Sequence, residues 1–393
     1  MISVSDALQT LFDLAPRVSS ERIPLTSANG RILSERVETT RTQPPFDASS
    51  MDGYALGPTD GTDRFQIMGE SAAGHPFASH INPGQAVRIF TGAVVPKGAD
   101  RVLIQEDAER SSNMITTQTM PLKGANIRTA GSDFFPGQGL DAARRLTPTD
   151  IALLAAMNIA DVPVARRPVV AIMATGDELV VPGETPGPGQ IVASNTYGLH
   201  ALFRTVGADV RILPIARDSL SSLKLGFDLA EGADLIVTIG GASVGDHDLV
   251  ATVAKDIGME QAFHKVAMRP GKPLMSGKLG RSMMIGLPGN PVSAMICGVI
   301  FVMPVLRAMM GLPPRATARF QMPLMRAIQA NGPREHYMRA RQIDGRVEVF
   351  DKQDSSLLSV LGSADLLVVR PPHDVAHDAG ELVDCVSLTD TTV

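Results

Sequence analysis

The chain has 393 residues, of which 44% are apolar and 20% charged, with a net charge of −5. That length exceeds one ordinary hydrophobic core and implies about two to four domains, while the acidic balance excludes nucleic acid as the main partner and leaves any anionic ligand to a local basic patch. The two cysteines, Cys297 and Cys385, show no CxxC spacing, which excludes a disulfide framework or a zinc knuckle.

The first element is a short helix over Ser3 to Leu14, with apolar positions at Ala7, Leu8, Leu11, Phe12 and Leu14 and with Ser5 or Asp6 as its cap. No basic segment followed by an apolar one precedes it, so no signal peptide is expected. Residues 15–45 read as extended and loop-rich, ending in Gln43-Pro44-Pro45. From Phe46 to about Arg128, short β-rich runs alternate with Gly/Pro turns and no helical period intervenes, which predicts a small separate β domain over 46–128. Thr147-Pro148-Thr149-Asp150 then starts a helix, with Thr147 as N-cap, Pro148 at N1 and Asp150 at N3.

From Pro168 the pattern becomes α/β. Strands are predicted over Val169–Ala174, Val210–Ile215, Leu235–Ile239 and Met283–Ile285, and helices over Thr196–Val206, Leu220–Leu229, Leu249–Ile257 and Pro291–Met309. This alternation predicts a mostly parallel sheet over 168–311, with its ligand beyond the carboxyl ends of the strands. The longest apolar run, Val299 to Leu306, is short for a bilayer and contains Pro304. No membrane association follows, and the cytoplasm is the expected compartment. After Gly311-Leu-Pro-Pro314 helices give way to β runs at Phe320–Met325, Tyr337–Ile343, Val347–Phe350 and Leu366–Val369, a C-terminal β domain over 312–393 of small-barrel type.

Chemistry collects where the α/β strands end. Gly240-Gly-Ala-Ser-Val-Gly-Asp-His-Asp248 follows an apolar strand and precedes a helix. Glycines there let backbone N–H groups approach an anion, and a helix N-terminus favours phosphate. A plain tight turn capped by Asp246 fits the same residues. Asp177-Glu178 and Asp218 follow two further strands of the same sheet, so three acid-bearing segments meet at the expected edge. Acids beside a phosphate suit a divalent metal. Lys265, Arg269 and Lys272 lie within eight residues, and the last two sit inside a Pro/Gly loop that suits an oxyanion, although a solvated basic loop has the same composition. Gly286-Leu-Pro288-Gly289-Asn290-Pro291 supplies another glycine-rich helix start, with Asn290 and Pro291 as N-cap and N1. Asp52, Thr91 and Asp133 lie in polar loops outside the α/β domain, and residue chemistry alone reads them as loop structure. There is no His pair at zinc spacing, no G-x-S-x-G and no P-loop.

Taken together and in order, Phe46-Asp-Ala-Ser-Ser-Met-Asp-Gly-Tyr-Ala55, Thr91-Gly-Ala-Val-Val-Pro-Lys-Gly-Ala-Asp100, Ala174-Thr-Gly-Asp-Glu-Leu179, the Gly240–Asp248 segment, Arg269-Pro-Gly-Lys-Pro273 and Gly286-Leu-Pro-Gly-Asn-Pro-Val-Ser-Ala294 resemble the molybdopterin molybdenumtransferase family, the MoeA proteins and the gephyrin E domain. The resemblance spans nearly the whole chain. It implies insertion of molybdate into adenylylated molybdopterin with release of AMP, Mg²⁺ as the metal, and a homodimer whose site is shared between subunits. It also implies transient contact with molybdopterin adenylyltransferase. The implied architecture is a linking region (1–45 and 129–167), the inserted β domain, a molybdopterin-binding α/β domain and a C-terminal barrel.

The resemblance implies catalytic positions at Glu178, Asp52, Asp133, Asp218 and Thr91. For the substrate it implies Gly240, Gly241, Ser243, Gly245, Asp248, Arg269, Lys272, Pro288, Gly289 and Arg128, and for the metal Glu178, Asp218 and Asp248. The chain departs from the family at Arg269, usually Lys, at Ala193, commonly an acid, and at Ser219, often a second acid. A non-catalytic molybdopterin-binding scaffold or carrier is the alternative. A scaffold has no need to keep Glu178, Asp218 and Asp248 together.

Overall fold

The computed structural model describes residues 1–59, 61–241 and 249–389. Helix Val4–Leu14 is capped by Ser3, not by Ser5 or Asp6: the Ser3 hydroxyl accepts from the Asp6 backbone N–H, and the Asp6 carboxylate accepts from the Ser3 N–H. The reciprocal pair satisfies two otherwise orphaned donors. Val4, Ala7, Leu8 and Leu11 are buried in the same core as the strands and helices of the α/β unit. The helix therefore packs on that unit despite its distance in sequence. Helix Pro148–Ala156 carries the same kind of cap from Thr147 and Asp150, with Pro148 at its first turn.

Around these helices the chain builds three β units. Ser20–Pro24, Asp161–Ala165, Ile32–Leu33 and Arg144–Arg145 form a four-stranded sheet from both sides of the inserted segment. The insert is six-stranded, with Gly53–Leu56 between Arg101–Ile104 and Gln85–Ile89, and Tyr54, Leu56, Phe65 and Leu103 in its core. In the C-terminal unit, Phe320–Pro323, Leu382–Ser387, Leu366–Arg370, Glu335–Ile343 and Arg346–Val349 pair in that order. A bridge from Leu324 to Val347 ties the first of these to the last, which closes the sheet into the expected barrel form. Two elements of this unit escape the sequence pattern: a short helix, Leu358–Gly362, and the pair Met268–Arg269, which leaves the α/β unit to join the barrel beside Glu335–Ile343.

The α/β sheet runs Asp209–Ile212, Val169–Ala174, Leu235–Ile239 and Ser282–Leu287, all parallel. Antiparallel Met275–Leu279 and Glu260–His264 extend one edge. Leu235–Ile239 is central and wholly buried, which is why it reads as a continuous apolar run. The last helix is longer than the apolar run suggests: Pro291–Cys297, a π-helical turn Gly298–Val302 and Met303–Met309 are continuous. Pro304 has no N–H to return to the carbonyl four residues back, and the wider π turn lies where that bond is lost. The 19-residue segment is long and apolar enough to cross a membrane, yet 89% of its 18-residue apolar window is buried inside the protein. Gly298 sits against the neighbouring helix, where a Cβ would come 2.7 Å from Leu199 Cδ2.

One ion pair ties the linking strand to this sheet. Arg166 donates twice to Asp234, at 2.7 and 2.6 Å, and the Val169 N–H donates to the same carboxylate. Burial alone raises the Asp234 pKa, but the Arg166 and Val169 hydrogen bonds outweigh it and hold the carboxyl below its ordinary value. Asp234→Ala should lower stability by about 1.5–3 kcal/mol near neutral pH, the range for hydrogen bonds to a charged group. The carboxylate contribution is complete above its unfolded pKa, about 3.9, and disappears as pH falls through the lower folded value. Thermal melts of wild type and variant should therefore converge as the pH falls into acid; a gap that stays constant from neutral pH down through the acid range would contradict this.

Candidate functional site

Three strand ends converge on a cleft of about 650 Å³. Strand Val169–Ala174 delivers Thr175 and the turn Gly176-Asp177-Glu178, strand Leu235–Ile239 delivers Gly240 and Gly241, and strand Ser282–Leu287 delivers Pro288 and Gly289. Gly240 has a φ of 93°, and a Cβ there would lie 2.8 Å from the Thr175 carbonyl oxygen. A Cβ on Gly289 would lie 3.7 Å from the Gly240 Cα. The two glycine turns thus lie side by side at the floor of the cleft, and at Gly240 the close approach to Thr175 leaves no room for a side chain. Glu178 borders the cleft; its exposed carboxylate folds back over its own turn, where a Cβ on Gly176 would be 2.3 Å from Oε2.

Asp218 lies on the adjoining loop and does not line the cleft. Its backbone N–H donates to Asp177 Oδ1 at 3.2 Å. Arg217 locks the two loops together by donating to the carbonyls of Gly176, Asp177 and Leu179. Arg217 is the sequence neighbour of Asp218, and its place as a clamp beneath Glu178 has no sequence signature. Ser243, Gly245 and Asp248 lie outside the described residues.

Other residues complete the wall. Asn195 lines the cleft and its side-chain amide donates to the Gly289 carbonyl at 2.7 Å. Ala193, where a carboxylate was noted as common, also lines it and brings no charge. Ser356 reaches the cleft from the C-terminal unit, held in an Asp354-Ser355-Ser356 turn by two bonds to the Asp354 carboxylate. That turn looks like ordinary loop chemistry in sequence. Asn290 is the N-cap and Pro291 is at N1 as expected, but the Asn290 side chain makes no cap bond. It reaches instead to Ser355 Oγ at 3.1 Å, joining the helix start to the barrel.

The basic loop divides between two places. Pro273 lines the cleft, while Lys272 is exposed and does not. Arg269 lines a different pocket, against the barrel. The sequence reading brought both cations to one edge; pairing of Met268–Arg269 with the barrel strand separates Arg269 from it.

Asp52, Thr91, Arg128 and Asp133 do not line the cleft of their own chain. Asp52 and Thr91 are nonetheless joined: the Thr91 backbone N–H and hydroxyl donate to Asp52 Oδ1 at 2.7 and 2.9 Å. The backbone bond first, then the hydroxyl, holds the Asp52 carboxyl below its ordinary pKa. Asp133 and Arg128 are both exposed, Asp133 bordering a small surface pocket and Arg128 on the short strand Ile127–Arg128 beside Ala48–Ser49.

The donor chemistry bears on magnesium. Mg²⁺ retains several waters and takes one or two carboxylates plus phosphate oxygens. Glu178 and Asp218, on loops clamped by Arg217, are hard oxygen donors of that kind. No group of three or more His, Cys, Asp or Glu able to hold a metal occurs among the described residues. The set fits a cation that arrives with a phosphate ligand; it is no self-sufficient cage.

Comparison with known proteins agrees with this layout. The family described as "MoeA N-terminal region (domain I and II)" matches residues 2–158, "Probable molybdopterin binding domain" matches 171–308, and "MoeA C-terminal region (domain IV)" matches 321–388. A "Molybdopterin molybdenumtransferase" of Haemophilus influenzae is 33% identical over 98% of both chains. One from Nostoc sp. is 38% identical over 79% of this chain and 75% of its own. The crystal structure of the molybdopterin biosynthesis moeA protein from Pyrococcus horikoshii OT3 superposes with a TM-score of 0.86 at 26% identity, covering 98% of this chain and 100% of that one.

Proposed function

The chain belongs to the molybdopterin molybdenumtransferase (MoeA) family, a transferase family of molybdenum cofactor biosynthesis, and from that premise we propose how its site works. The substrates are adenylylated molybdopterin and molybdate. The backbone of the Gly240–Gly241 and Pro288–Gly289 turns, with the start of the Pro291 helix, holds the phosphate end of the pterin. Asn195 fixes the Gly289 carbonyl and so the shape of that turn. Glu178 and Asp218, with Asp248 as the expected third acid, would hold Mg²⁺, which when bound would supply charge neutralisation for pyrophosphate cleavage. Lys272 adds positive charge beside the cleft, and Arg269 attracts molybdate.

The observation that carries this reading is the meeting of Gly240 and Gly289 on the floor of a cleft that Glu178 borders. In an incubation with adenylylated molybdopterin, Mg²⁺ and molybdate, purified protein should yield molybdenum-loaded pterin and AMP in equal amounts. Retention of the pterin with no molybdenum product would make the protein a carrier.

The protein works as a homodimer in the cytoplasm, with transient contact to the adenylyltransferase that supplies its substrate. Asp52 and Thr91 serve the cleft of the partner subunit, which accounts for their pairing with each other and their distance from their own cleft. With a carboxyl held below its ordinary pKa, Asp52 is an ionised acceptor at neutral pH and no proton donor. Mixing inactive Asp52→Ala with inactive Glu178→Ala subunits should restore about a quarter of wild-type activity, because half the dimers are mixed and each then holds one intact site of two. No recovery after verified subunit exchange would place both residues in one site of one chain.

A further inference from the structure

The register of the barrel sheet sets Arg269, His336 and Arg370 side by side on three neighbouring strands. Laterally paired residues project to the same face. All three line one pocket of about 340 Å³, which shares no lining residue with the strand-end cleft. His336 is only 7% exposed, and its Nε2 is buried with no hydrogen-bond partner. A buried polar atom without a partner is costly to keep and marks a place where a ligand can supply the missing bond.

The surroundings specify the sign of that ligand. Burial first, then the positive charges of Arg269, Arg370, Arg339 and Arg334, push the His336 pKa down to about 4, so the ring is neutral at physiological pH. Arg370 is held by the Asp374 carboxylate and the Gln329 and Val375 carbonyls. Arg339 is held by Gln353 and by the Lys352 and Asp354 carbonyls. Arg326, also in the lining, is paired with Glu348. Arg269 is exposed and makes no side-chain hydrogen bond or ion pair among the described residues. Asp351 in the lining and Asp354 beside Arg339 offset part of the charge, and the pocket remains cationic.

We propose that this pocket binds a free tetrahedral oxyanion, with Arg269 supplying a planar pair of donors and the neutral His336 ring donating from Nε2. A guanidinium fork matches two oxygens of such an anion, and an imidazole N–H suits a third. The shared chemistry covers ambient sulfate or phosphate and the oxyanion that the reaction consumes. Only the last assignment rests on the proposed function.

The test is calorimetric titration of the full chain, without pterin, using sulfate, phosphate, molybdate and tungstate in turn. One saturable site per chain is expected, at least about tenfold weaker in Arg269→Ala and in His336→Leu. His336→Glu places a carboxylate among the arginines and should abolish oxyanion binding while its melting temperature holds or rises. That second variant keeps the test decisive if His336→Leu fails to fold. A preference for molybdate and tungstate would assign the site to the reaction's oxyanion, and equal affinities would assign it to oxyanions in general; both support the site. Unchanged affinity in His336→Glu would overturn the proposal, as would displacement of the oxyanion by adenylylated molybdopterin, which would put it in the cleft.

Discussion

Replacing Glu178 by alanine lowers the rate of AMP release by about 10²- to 10³-fold, the range found when one electrostatic group of a catalytic site is removed, and leaves the melting temperature unchanged. The second half of this expectation follows from exposure. Glu178 sits in a turn, its carboxylate makes no hydrogen bond among the described residues, and the turn itself is held from beneath by Arg217. The first half follows from position: among the described acids, Glu178 is the one that lines the cleft beside the glycine turns. Glu178→Gln separates charge from shape. If the carboxylate acts as a metal ligand and a negative charge, the amide should be nearly as inactive as alanine. Turnover within twofold of wild type in Glu178→Ala would remove the residue from the mechanism.

Gly240→Ala abolishes tight pterin binding, with affinity falling more than about tenfold, and lowers stability by about 1–3 kcal/mol, the cost of a side chain held at an unfavourable backbone angle. At a φ of 93°, the new methyl would lie 2.8 Å from the Thr175 carbonyl oxygen, backbone that ends the neighbouring strand and does not yield easily. Relief requires the turn to move away from Thr175, which displaces the floor that Gly240 shares with Gly289. Gly232→Ala is the control. Gly232 also has a positive φ, at 77°, but its Cβ would meet nothing within 4 Å. That variant should show the backbone strain with unchanged affinity. Equal affinity in both variants, measured by pterin fluorescence titration, would show that the floor of the cleft does not contact the ligand.

Elements that announce themselves by composition were legible in the sequence. Val169–Ala174 and Leu235–Ile239 are buried parallel strands, so their apolar runs have no interruption to misread. The antiparallel edge strands were not legible. Met275–Leu279 contains Gly277, which breaks a strand pattern, yet it is required there because a Cβ would lie 2.4 Å from the Glu260 carbonyl of the adjoining strand. Local rivals also mislead at helix starts. Ser3, Ser5 and Asp6 are all competent caps, and only the backbone turn selects Ser3.

The same division runs through the site. The glycine turns and Glu178 were readable because they follow strands whose ends must converge. The Asp52–Thr91 bond spans 39 residues and leaves no spacing signal. Arg269 shares a Pro/Gly loop with Lys272 in the sequence, but strand pairing decides where it goes, and the Arg269, His336 and Arg370 row exists only once register is known.

The most direct measurement is AMP release from adenylylated molybdopterin by the purified protein with Mg²⁺, in the presence and absence of molybdate. The account predicts release that depends on molybdate and is lost in Glu178→Ala. Tight retention of the pterin with no AMP formed, whether or not molybdate is added, would contradict it.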